Sequence, residues 1–280
     1  MTADTKVERG FWVRNRLWIM LAALVLFLPP LSLLFQFTGD SAFCGSWCPR
    51  MFFVWRKGES IGEFLVGFLR SYMGVALVLG ILVSTFFLGR HWCSHLCPVG
   101  GSMELVSRLL PRRLKINFRT VPAPSFRYGY LAVYFIASAI GAGSLCCNYC
   151  NFATVPRMFG AAYSMADMSY FFRTAGLINL GLVVALGFAA KGGRAYCNLI
   201  CPVGALDALS NRLGMRAGRR VRVDASKCDG CGACAKVCPV WAVESGRKET
   251  ASIDGLSCMP CRECEKVCHK EAISYGKHHA

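Results

Sequence analysis

The sequence predicts an α-helical membrane domain of four transmembrane helices, built on a twofold internal repeat, followed by a small cysteine-rich α+β domain. Three observations carry this. The 280 residues are 54% hydrophobic and 17% charged, with mean hydropathy +0.40, whereas soluble domains run near one quarter charged. Four stretches are apolar enough to cross a bilayer core about 30 Å thick. The 17 cysteines fall into short clusters, unlike the framework of a small secreted disulfide domain.

Taken in order, residues 1–16 form a polar tail with Lys6, Arg9, Arg14 and Arg16. The first span is expected over 17–37, with Pro29 and Pro30 inside it. It is longer than the apolar region of a signal peptide and has no clear small-residue cleavage pattern before Cys44, so it reads as a retained anchor. The other spans are expected over 72–88, 128–145 and 171–190; they are short and glycine-rich, which suits close helix packing in lipid. The membrane domain thus covers 17–215 and the cysteine-rich domain 216–280. Arg90, Arg108, Arg112, Arg113, Arg119 and Arg127 crowd the loop between spans two and three, while Arg157 and Arg173 stand alone in the third loop. Basic residues favour the cytoplasmic side, which puts both termini there and makes the chain a multi-pass protein. The formal charge of +16 would suit nucleic acid. Its concentration beside apolar spans instead suits topology and anionic lipid, so the expected partner is the membrane and no nucleic acid.

The segment from Gly89 to Gly100, Gly-Arg-His-Trp-Cys-Ser-His-Leu-Cys-Pro-Val-Gly, returns as Gly-Arg-Ala-Tyr-Cys-Asn-Leu-Ile-Cys-Pro-Val-Gly from Gly193 to Gly204. Each copy follows a span. Cys44-Gly45-Ser46-Trp47-Cys48 and Cys146-Cys147-Asn148-Tyr149-Cys150 echo one another more faintly on the opposite side. The domain therefore reads as two copies of a two-helix unit. Trp47, Trp92, Tyr149 and Tyr196 are expected in the aromatic belts of the interface.

The most specific signal lies near the C-terminus. Cys228, Cys231, Cys234 and Cys238 follow the C-x2-C-x2-C-x3-C spacing, and Cys258, Cys261, Cys264 and Cys268 repeat it. This is the run of bacterial ferredoxins that hold two [4Fe-4S] clusters, in which the fourth cysteine of each run serves the other cluster. The expected sets are Cys228, Cys231, Cys234 with Cys268, and Cys258, Cys261, Cys264 with Cys238. Zinc ribbons use two separated C-x2-C pairs and fit poorly.

Cys93-x3-Cys97-Pro98 and Cys197-x3-Cys201-Pro202 sit just past the cytoplasmic ends of spans two and four. Pro98 and Pro202 suit the first position of a new helix, whose free N–H groups would favour a thiolate at Cys97 and Cys201. Repeat symmetry would bring the four thiols to one point, giving a further [4Fe-4S] site; the alternative is reduced, unliganded thiols. Cys44, Cys48, Cys146, Cys147 and Cys150 could hold one more cluster, Cu(I) or disulfides on the far side. His91 and His95 flank Cys93 and are candidates for proton relay or for binding a quinone headgroup, or are plain interfacial polar residues.

These motifs resemble the NapH-type quinol dehydrogenase membrane subunits. Trp92-Cys93-Ser94-His95-Leu96-Cys97-Pro98-Val99-Gly100 carries that pattern. The related polyferredoxins include the C-terminal part of NosR and the FixG/CcoG-type proteins, to whose Cys-Gly-x-x-Cys-Pro element Cys44–Pro49 is similar. Cysteines at 146, 147 and 150 depart from a plain NapH pattern. The resemblance implies a bacterial inner-membrane electron-transfer component of a quinol dehydrogenase. It would link quinol to a periplasmic iron–sulfur or cytochrome partner. A copper- or thiol-reducing assembly factor for a metalloenzyme is the alternative, with the far-side cysteines as its working residues. No G-x-G-x-x-G after a strand and no Walker loop is present, which argues against a hydride cofactor or nucleotide chemistry.

Overall fold

The computed structural model describes residues 11–28 (Trp12 apart), 72–140, 151–246 and 249–277. Cys44, Cys48, Cys146, Cys147 and Cys150, with Trp47, Tyr149, Pro29 and Pro30, lie outside the described residues.

Uninterrupted apolar runs give α1 (Arg16–Phe27) and α2 (Tyr72–Leu88). α2 buries a stripe of Val75, Val78, Ile81 and Thr85 and turns Leu79, Val83, Phe87 and Leu88 outward. A helix that is apolar on both its packed and its outer side differs from the amphipathic helix of a soluble protein. After a π-helical turn (Trp92–Leu96), α3 (Pro98–Leu109) begins with proline at its first position. α4 (Ala123–Ala139), α5 (Asn151–Gly160) and α6 (Met165–Phe171) follow. α7 (Thr174–Val183) runs on as a π-helical turn over Val184–Phe188. α8 (Ala195–Leu199) and α9 (Pro202–Leu213) complete the helical part.

The two repeats interlock. α9, from the second copy, packs against α2 of the first, while α3 of the first packs against the Val184–Phe188 turn of the second and against α1. Each copy's last helix thus lies partly against the other copy.

The C-terminal part pairs β1 (Arg220–Val223) antiparallel with β4 (Ile273–Gly276), Arg220 opposite Gly276 and Val223 opposite Ile273. β2 (Val243–Glu244) pairs antiparallel with β3 (Ser252–Ile253). Two short helices, α10 (Ala233–Val237) and α11 (Glu263–Lys266), each follow a left-handed residue, Gly232 at φ 70° and Arg262 at φ 58°. Trp241 and Glu271 form a second left-handed pair at φ 56° and 49°. The sequence repeat is thus written into the backbone.

Helix is seen over Arg16–Phe27 for the first expected span and Ala123–Ala139 for the third, whose remaining residues, 29–37 and 141–145, lie outside the described ones. Other expectations change. In the fourth span, α6 bends by 82° from Thr174–Phe188. Among the described residues no single helix is long and apolar enough to cross a membrane, though that bent pair is so by length and composition. Arg16, Arg90 and Arg127 do not lie in surface loops. All three are buried and paired, because a guanidinium can be taken from water when carboxylates and carbonyls satisfy its fork. Tyr196 is buried beside Val99, Met103, Val155 and Val183, and Trp92 packs against a core cluster, so neither forms a simple interfacial belt.

Candidate cluster sites

Twelve cysteines are described, none in a disulfide. They fall into three neighbouring groups.

Cys228, Cys231, Cys234 and Cys268 line one cavity in the C-terminal part, with Asp229, Gly232, Ala251 and Ile273 among its other walls. α10 presents Cys234, and the loop before it presents Cys228 and Cys231. Cys268 comes from the other half, just after α11. Cys231 is exposed, so this cavity is the outer end of the series. His269 Nε2 lies 3.0 Å from Asp229 Oδ2 beside it.

Cys258, Cys261, Cys264 and Cys238 face inward. Cys261 and Cys264 are buried. Burial, with Arg16 opposing it, pushes the Cys261 thiol up to about 11. Cys234 and Cys264 belong to one apolar core with Val221, Ala235, Val243, Ala251 and Ile273, and Cys228, Cys238, Cys258 and Cys268 pack against it. One core therefore joins the two groups.

Cys93, Cys97, Cys197 and Cys201 form the third group, in the helical part. Cys97 and Cys201 are the N-caps of α3 and α9, with Pro98 and Pro202 next. The Gly204 N–H donates to Cys201 Sγ at 3.3 Å. Burial pushes the Cys97 thiol up to about 11; the neighbouring Cys197 adds to this, and the Val99 and Gly100 N–H groups oppose it. Cys201 is raised for the same reasons, burial first and Cys197 next. Cys93 and Cys197 share an apolar cluster with Val240, Ala242 and Met259, against which Cys238 and Cys258 pack. The third group thus touches the second as the second touches the first.

Charge around the third group is opposite to that of thiolates. Arg194 stacks its fork on Gly100, where a Cβ would collide with its Nη1 and come within 3.2 Å of Cys197 Sγ. It donates to the Cys93 carbonyl at 2.6 Å and to Glu104 Oε2 at 2.8 Å. Arg90 mirrors it, donating to the Gly204 carbonyl at 3.1 Å and to Asp207 Oδ2 at 2.9 Å. Burial works against both guanidinium charges, but the partner carboxylates and the cysteine sulfurs outweigh it and hold both above the ordinary arginine value. Arg16 grips Glu104 bidentately at 2.6 and 2.7 Å and reaches Glu263 of α11 at 3.2 Å.

This arrangement fits an anionic group bound by four thiolates. Burial alone would keep these thiols protonated and inert. Helix N–H groups and two interior arginines supply the positive surroundings that a multiply charged cluster requires. Cys93 Sγ donates to Asp207 Oδ2 at 3.1 Å. A ligating thiolate would lose that proton, and Arg90, already on the same oxygen, would then stand against both anions.

The two histidines are internal. The Tyr275 hydroxyl donates to the Leu88 carbonyl at 2.6 Å, so His91 Nε2–H donates to that hydroxyl across 3.1 Å. Burial and then Arg262, Arg220 and Arg219 bring His91 down to about 4. His95 Nδ1 meets Ser94 Oγ at 2.6 Å, and burial brings it down to about 3. Both rings are neutral near pH 7. His91 sits where the helical part meets β4, and the buried His95 lies beside it with ring centroids 5.3 Å apart.

Sequence reasoning missed Arg90, Arg194, Glu104 and Asp207 as parts of a site. The Gly-Arg that opens both repeat copies was the available signal.

Comparisons with known proteins find 4Fe-4S binding domains in the chain. A 4Fe-4S binding domain family matches residues 71–117 and again 173–220, one match per repeat copy, and a second 4Fe-4S binding domain family matches 221–242. The chain carries ferredoxin-type 4Fe-4S domains. It is 32% identical over 190 residues to a protein named as electron transport protein YccM of Escherichia coli (strain K12), covering 63% of this chain and 49% of that one. It is 31% identical over 178 residues to the methylamine utilization ferredoxin-type protein MauN of Paracoccus denitrificans (strain Pd 1222), covering 59% and 54%. The chain spans about half the length of these relatives. No solved structure matches. Iron–sulfur electron transport is the role these matches support.

Proposed function

We propose that the chain is a multi-pass, inner-membrane subunit, both termini cytoplasmic, that carries electrons between the quinol pool and an iron–sulfur or cytochrome partner, as in a NapH-type quinol dehydrogenase. The observation that carries it is the unbroken series of three four-cysteine groups, linked by two shared apolar cores. When bound, a [4Fe-4S] cluster accepts and returns a single electron.

The residues do the remaining work. Cys228, Cys231, Cys234 and Cys268 hold the outer site, and Cys258, Cys261, Cys264 and Cys238 the middle one. Cys93, Cys97, Cys197 and Cys201 hold the site at the mouth of the helical part. Val240, Ala242 and Met259 exclude water between the last two. Dry, close packing keeps neighbouring sites rigidly placed and lowers the polar rearrangement that accompanies each charge movement. The outward apolar faces of α1, α2 and α4, with Trp18, Val83 and Ile136 exposed, support immersion in lipid. Quinol would enter from that side. The far-side cysteines, outside the described residues, are the place for a further cluster toward a periplasmic partner.

Iron content tests the reading. Counting four irons per cubane, the C-terminal groups alone predict about eight and the third group raises this to about twelve. Full-length protein purified anaerobically should fall by about four irons in C97S or C201S. An unchanged count of about eight in both wild type and variants overturns the helical site.

A further inference from the structure

We propose that Arg90 is a counter-charge shared by two cluster sites at once, the middle one and the helical one, and that it sets the reduction potential of both. The inference rests on the reading that both cysteine groups hold cubanes. Its own basis is where the guanidinium goes. Arg90 has no solvent exposure, and each arm ends at a different site. Nη1 donates to the carbonyls of Leu256 and Ser257, at 3.2 and 3.4 Å, immediately before Cys258. Nη2 donates to the Gly204 carbonyl, in the first turn of the helix that Cys201 caps. Nε donates to Asp207 Oδ2, the oxygen that also receives Cys93 Sγ.

Reduction adds one negative charge to a site. A fixed cation in a dry interior, unscreened by water or salt, stabilises the reduced form and raises its potential. Arg194 is the contrasting case. It sits on the Cys93 carbonyl, Gly100 and Glu104 and makes no described hydrogen bond to the C-terminal part. Arg90 is therefore a positioning residue for two centres, and Arg194 for one. Of the two repeat-related arginines the first reaches across: the segment that Gly89 opens lies against the C-terminal part, where a Cβ on Gly89 would meet Pro260 at 3.4 Å.

The test is an EPR-monitored redox titration of full-length protein purified anaerobically in detergent, with iron counted in each sample. C97S identifies the signal of the helical site. In R90Q the helical and middle signals both move to more negative potential, and the outer signal stays. R90K, which keeps the charge, lies closer to wild type than R90Q. In R194Q only the helical signal moves. In D207N, where Arg90 loses its neutralising partner, the helical signal moves in the positive direction. Opposite signs for R90Q and D207N cannot both come from loosened packing. If R90Q sheds its iron, D207N and R90K decide by the same rule. Normal iron with one signal or none responding to R90Q overturns the shared role alone, as does loss of iron from R90Q, R90K and D207N together. About eight irons in wild type, with no signal sensitive to C97S, overturns the helical site and this proposal with it.

Discussion

Glu104 is the residue on which most of the interior charge converges. It is 1% exposed and accepts from Arg16, Arg194 and the half-exposed Arg108. Burial raises its pKa, but Arg194 and Arg16 outweigh that and hold the carboxyl well below the usual range. Removing one member of such a buried network leaves its partners charged and unpaired, which costs about 3–5 kcal/mol. E104Q should therefore lower the thermal midpoint at neutral pH, read by circular dichroism. The pH sign follows from the depressed pKa. The carboxylate's contribution is complete above its ordinary value of 4.5 and is lost progressively as pH falls below it toward the folded value. The gap between wild type and E104Q should narrow below about pH 4.5. A gap that widens in acid refutes the assignment. None of this was legible in the sequence, where Glu104 is one acidic residue in a basic loop and Arg16 belongs to a basic tail.

At the scale of elements, the turn that leads into each Cys-x3-Cys-Pro motif matters most. Gly192 at φ 88° and Gly193 at φ 69° turn the chain between α7 and α8. A Cβ on Gly192 would lie 2.5 Å from the Pro239 carbonyl oxygen and 2.7 Å from its Cα, and one on Gly193 would lie 2.5 Å from the Glu104 Cα. These obstacles are backbone, so they cannot rotate aside. G192A should cost about 1–3 kcal/mol from the left-handed backbone alone. It should also loosen Pro239 and Val240, raising proteolytic cleavage near residue 240. Equal cleavage of wild type and G192A would show that the turn is not held against the C-terminal part. The helix starts at Pro98 and Pro202 were readable, because proline at the first position needs no partner for its missing N–H. The π-helical turns at Trp92–Leu96 and Val184–Phe188 were not, since no local composition marks them.

For the whole molecule, the question is whether the ferredoxin-type part hangs from the helices or is built into them. The contacts favour the second. Arg127 donates to the Asn198 and Leu256 carbonyls, both at 2.8 Å, and Asn211 donates to the Gly255 carbonyl at 2.6 Å. Arg220 reaches back to the Thr85 and Phe86 carbonyls at 3.0 and 3.1 Å. These acceptors are backbone carbonyls; side chains add to them, with Arg127 also donating to the Ser257 hydroxyl at 3.3 Å and Arg16 to Glu263 at 3.2 Å. R127L takes Arg127 from both carbonyls, leaving the Leu256 carbonyl to Arg90 alone, and hydrogen exchange over residues 254–260 should rise while iron content holds. Exchange as slow as wild type would make Arg127 dispensable to docking.

The sequence by itself determined the local chemistry: the duplicated cysteine runs, the duplicated Cys-x3-Cys-Pro motif and the apolar helices. Each of these is written in residues a few positions apart, where spacing alone limits what a chain can do. Tertiary structure decided which charges are interior and how the three cysteine groups adjoin. Arg90 meets Asp207 because α9 of the second copy packs on α2 of the first, and Arg16 meets Glu104 because α1 folds back on α3. Burial and long-range pairing depend on these packings, and no local pattern records them.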